Sequence, residues 1–72
     1  MTKPNHTAAA AVADSILADL NALIGQITES KTELTNGNTK GAVGAAMMAE
    51  GTVERVTSLY PALMTLLRQS NA

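Results

Sequence analysis

The sequence predicts an all-α fold: an antiparallel two-helix hairpin with heptad seams, completed by oligomerisation. Three observations carry this reading. Two separate runs of apolar and small residues keep the same alternating spacing of four and three. An Asn36-Gly37 step lies between them. Thirteen of the residues are Ala, and Tyr60 is the single member of the Phe, Tyr and Trp group, so the sheet-forming residue types are scarce. A repeat of 3.5 residues belongs to packed helices, whereas a strand needs period-two alternation.

Residues 1–6 form a polar leader in this reading. Pro4 disfavours helical backbone in the residue before it, and Asn5 or Thr7 is placed to accept from the free amides of the first turn. The first helix is expected over 7–34. Its seam is Ala9, Ala13, Ile16, Leu20, Leu23, Ile27, Ser30 and Leu34, an unbroken heptad pattern. A helix of this length spans roughly 42 Å at 1.5 Å per residue.

The turn is expected over 35–39. Asn-Gly tolerates positive φ, and Gly37 is a helix-terminating residue. A second helix follows over 40–69, with a seam of Ala42, Ala46, Ala49, Val53, Val56, Tyr60, Leu63 and Leu67. Pro61 lies within it. There it either kinks the helix, having no N–H for the carbonyl of Thr57, or breaks it, with Ser58 capping a short last helix.

The short link makes the helices antiparallel neighbours. The expected intra-hairpin core is Ile16, Leu20, Leu23, Ile27, Leu34, Val53, Val56, Tyr60, Leu63 and Leu67. Beside it lie Val12, Leu17, Ile24, Val43, Leu59, Met64 and Leu66, more apolar side chains than two helices cover. These are the expected oligomer interface. The partner is a second copy of the chain, at least a dimer, with another protein as the alternative.

Size supports the same expectation. A 72-residue chain without cysteine has no disulfide or thiolate metal site to compensate for a small core. The outward positions are also small and uncharged: Ala11, Ala18, Gly25 and Thr32 on the first helix, then Gly44, Gly51, Ser58 and Thr65. Solvated helix backs usually carry Lys, Glu and Arg. Gly in a helix interior costs about 1 kcal/mol relative to Ala. Gly25, Gly44 and Gly51 are therefore candidates for close packing against a further helix.

No catalytic constellation is expected. His6 is the sole imidazole and sits in the leader. Glu29/Glu33 and Glu50/Glu54 are i, i+4 acid pairs without a third ligand, so they read as solvated faces, and no metal or cofactor is expected. Gly41-Ala42-Val43-Gly44 follows no strand and lacks a phosphate-binding pattern. Met47 and Met48 suit an adaptable contact surface. Lys3, Lys31, Lys40, Arg55 and Arg68 are scattered, and the net charge is −1, so no nucleic-acid partner is expected.

The longest stretch without charged or strongly polar side chains, Gly41 to Ala49, is far short of the roughly 20 residues a membrane span needs. No transmembrane segment and a cytoplasmic location are the expectations.

The small-residue-rich, charge-poor style is similar to that of the R-body ribbon proteins of bacterial endosymbionts. The local echo is Val12-Ala13-Asp14-Ser15-Ile16 leading to Leu23-Ile24-Gly25. It does not assign the chain to that family and adds only a ribbon to the assemblies considered. Two functions of different class follow from the sequence. One is a non-enzymatic structural subunit of a homo-oligomeric bundle, ribbon or filament. The other is a small regulatory adaptor or inhibitor, of a phage or bacterial accessory type, binding a host protein through its apolar face.

Overall fold

The computed structural model describes residues 4–70 and contains two helices, α1 over Pro4–Thr35 and α2 over Thr39–Ser70, packed against each other. The molecule is an all-α helical hairpin, and its extents are 56 × 16 × 12 Å. Its radius of gyration is 16.5 Å. A rounded domain of this length would have about 11 Å. Residues 1–3, the start of the expected leader, lie outside the described residues. The rest of the leader is helical, because Pro4 takes the first helical position, where a missing N–H is no loss. Thr7 is therefore inside α1 and not its cap.

The turn is built by two overlapping motifs. Gly37 adopts φ 77°. Its N–H donates to the carbonyl of Leu34 at 3.0 Å, and the N–H of Asn38 donates to the carbonyl of Glu33 at 2.8 Å. This pair of bonds is a Schellman cap. Asn38 then starts α2. Its Oδ1 accepts from the N–H of Gly41 at 3.0 Å, the N-cap bond, and its carbonyl accepts from the N–H of Ala42 at 3.0 Å. The Asn38 amide also donates to Glu33 Oε2. A Cβ on Gly41 would lie 2.5 Å from that amide nitrogen and 2.6 Å from the carboxylate. A larger residue at 41 would have to displace the Asn38 and Glu33 side chains that meet at the turn.

α2 continues through Pro61 without a break. Pro61 is exposed, and its carbonyl accepts from Thr65 Oγ1 at 3.0 Å.

The seam between the helices keeps half of the expected rows and replaces the other half. Ala9, Ile16, Leu23 and Ser30 of α1, with Ala42, Ala49, Val56 and Leu63 of α2, lie in the contact as expected. The second row runs one residue earlier on both helices. On α1 it is Val12, Asp19, Gln26 and Glu33; on α2 it is Ala45, Thr52, Leu59 and Leu66. At 100° per residue, each helix is turned by about 50° from the expected facing.

The reason is close approach. Ala42, Ala45 and Ala49 are 3 to 7% exposed and Thr52 is 2% exposed. Their small side chains let α1 come near enough for Ser30 Oγ to donate to the carbonyl of Ala42 at 2.9 Å. The same rotation brings Arg55 Nε to 3.3 Å from Asp19 Oδ1, and Arg55 also reaches Thr52 Oγ1 at 3.4 Å. An ion pair with an exposed guanidinium adds no more than about 1 kcal/mol, but it ties the helices together at one level.

The consequence is a seam with polar groups inside it. Gln26 Oε1 is buried and has no hydrogen-bond partner among the described residues. An orphaned buried acceptor costs about 1–3 kcal/mol. Gln26→Leu is therefore expected to stabilise the hairpin by at least about 1 kcal/mol. A denaturation midpoint that falls in this variant would contradict the seam described.

Candidate functional site

The displacement of the seam determines what the surface carries. Leu20, Ile27, Leu34, Val53, Tyr60 and Leu67 were expected in the core. They are exposed, from 38% for Leu20 to 58% for Leu34. Ile16, Leu23, Val56 and Leu63 of the expected core are half-buried between the helices. Of the expected oligomer interface, Val12, Leu59, Met64 and Leu66 are half-buried within the hairpin itself, whereas Leu17, Ile24 and Val43 are exposed. The sequence pattern found the right helices but exchanged two neighbouring rows, on α1 an apolar row for a largely polar one. Both rows keep heptad spacing, so periodicity alone does not separate them.

Of the exposed apolar residues, Met47 and Met48 lie elsewhere, whereas Leu20, Ile27, Leu34, Val53, Tyr60 and Leu67 share one side of the molecule. Each lies four positions after a seam residue, about 70° from the seam centre. The two helices run in opposite directions, so an equal rotation from the seam brings both rows to the same flank. Surface grooves agree with this geometry. One is lined by Ile27 together with Ala46 and Val53, with Glu50 and Glu54 at its edge, and another by Ala13 together with Leu63 and Leu67. A third groove, along α1, is formed by Leu20, Leu23, Ile24, Ile27 and Thr28. The flank thus runs most of the length of the hairpin.

The opposite flank is different in kind. It carries Ala11, Ala18, Gly25 and Thr32 on α1 and Gly44, Gly51, Ser58 and Thr65 on α2, beside the exposed Met48 and Arg55. A Cβ added at Gly25 or Gly44 would meet nothing within 4 Å, and at Gly51 only Arg55 Nη1 at 3.9 Å. These glycines make no close contact within the hairpin.

The accessible surface measures the mismatch. The chain exposes 5151 Å². A folded monomer of this mass would expose about 4,200 Å². The surplus of about 950 Å² goes with the elongated shape, 56 × 16 × 12 Å.

Among the described residues no group of three His, Cys, Asp or Glu side chains could hold a metal ion. Met47 and Met48 are both exposed. The 30-residue stretch His6–Thr35 is long and apolar enough to cross a membrane by length and composition. The stretch passes this test although it holds no long uninterrupted apolar run, because Ala, Ile and Leu outnumber its charges. Asp14 and Asp19 lie within it, and a carboxylate at a bilayer centre costs roughly 2.5–3.5 kcal/mol.

Fold and surface together define a helical hairpin with one uncovered apolar flank. No family model, curated protein or solved structure matches this chain.

Proposed function

We propose that this chain is a non-enzymatic, self-assembling helical protein, a structural subunit of a homo-oligomeric bundle, ribbon or filament. One observation carries the reading. The hairpin places Asp19, Gln26 and Thr52 in or beside its own seam and leaves Leu20, Ile27, Leu34, Val53 and Tyr60 on its surface. Burying a Leu or Ile side chain is worth roughly 1.5–3 kcal/mol. A two-helix unit that forgoes this at several positions gains it back when another apolar surface covers the flank. The low charge of the whole chain, 15% of residues, points the same way, since an isolated soluble hairpin keeps a charged exterior.

Sedimentation of the purified chain over a dilution series tests the proposal. The expected result is a mass of at least two chains, falling together with helical circular dichroism on dilution. A single-chain mass at every concentration with full helicity would overturn the proposal and favour the adaptor reading. Quantitative flotation with lipid vesicles, in place of self-association, would favour a membrane role for α1.

A further inference from the structure

We infer that the apolar flank is covered by a second copy of this chain, turned end over end, so that α1 packs on α1 and α2 on α2 in an antiparallel four-helix bundle. The inference rests on the self-assembly reading and names its interface and arrangement. Two observations are consistent with a second copy: the first shows room for an interface, and the second bears on the occupant. The first is area. The surplus exposed surface of about 950 Å² is close to the roughly 800 Å² that each partner contributes to a standard interface.

The second is the distribution of side-chain size. On α1 the large residues of the flank, Ile27 and Leu34, lie in the half near the turn, and Ala13 lies in the far half. On α2 the order is reversed, with Ala46 near the turn and Tyr60 and Leu67 far from it. Leu20 and Val53 lie near the middle. A two-fold axis across the middle of the flank therefore sets Ile27 over Ala13 of the second copy and Tyr60 over its Ala46. Large side chains meet small ones at these two levels, and Leu20 and Val53 each meet their own counterpart near the axis. The alternative two-fold axis, along the hairpin, also matches large with small. It sets the outer Ile24 beside Glu50, however, whereas the antiparallel arrangement pairs Leu17 with Ile24 of the second copy.

The experiment combines sedimentation with a distance measurement on the full chain. Ile27→Glu and Val53→Glu are expected to raise the concentration needed for association on the order of 100-fold, because a carboxylate is buried in an apolar contact. Gly51→Gln, on the opposite flank, is expected to leave association unchanged. Adding Ala13→Lys to Ile27→Glu is expected to restore association, since residues 13 and 27 of opposite copies meet. The chain has no cysteine, so Asn36→Cys accepts a single spin label at the turn. The label-to-label distance should approach the 56 Å long axis. A parallel pair would bring the labels within about 20 Å, and that result would overturn the antiparallel arrangement. Normal association of both Glu variants with loss in Gly51→Gln would overturn the assigned flank while leaving self-assembly standing. Loss without rescue by Ala13→Lys would overturn the register. A wild-type chain that is a single copy at all concentrations would remove both the inference and the reading beneath it.

Discussion

Replacing Gly25, Gly44 and Gly51 together by Ala is expected to stabilise the protein by about 2–3 kcal/mol. Each site lies inside a helix, where Gly costs about 1 kcal/mol relative to Ala through the freedom it loses on folding. Within the hairpin none resists a methyl group, for the nearest atom to any of the three added Cβ atoms is Arg55 Nη1 at 3.9 Å. The sites are distant enough for their effects to add approximately. For a domain of this size the gain corresponds to a rise in Tm of roughly 10 °C or more. Thermal unfolding followed by circular dichroism, with a sizing run on the same sample, gives the answer. A lower Tm accompanied by lost association would show that the small-residue flank is itself packed against another helix. Stabilisation with normal association would leave the large apolar flank as the contact.

The opposite sign is expected at Ala49. Ala49→Leu should destabilise the hairpin by about 1–3 kcal/mol, because Ala49 is 3% exposed in the part of the seam where the helices come closest. The added atoms force the helices apart and weaken the neighbouring Ser30–Ala42 hydrogen bond. Ala18→Leu is the matched control. Ala18 is exposed, and Leu is nearly as good a helix former as Ala, so its effect should be near zero. Equal stability of Ala49→Leu and the control would mean that the helices do not approach through this row.

These two substitutions divide what is local in this protein from what is not. The helices and the turn were legible in the sequence because their causes lie within a few residues. The 4-3 spacing holds on both sides of the break, Gly37 supplies the left-handed residue that ends α1, and α2 begins immediately beyond it. α1 starts three residues before the expected Thr7, because Pro4 acts as the first helical residue and not as a barrier. Local sequence does not choose between a kink and a break at Pro61, and α2 runs through it.

The seam could not be assigned from one helix at a time. The rows through Leu20, Ile27 and Leu34, and through Asp19, Gln26 and Glu33, have the same period and flank the same shared row. Hydropathy prefers to bury the first. What decides between them lies across the contact. Ala45, Ala49 and Thr52 are small enough for the helices to close on that side, and Arg55 stands where Asp19 can meet it. Sequence by itself therefore determined two helices, their antiparallel order and the Gly37 cap, all products of short-range backbone preference. Only the tertiary structure decided which side chains each helix turns inward, because that rotation is set by the size and charge of residues on the other helix, 12 to 36 positions away along the chain.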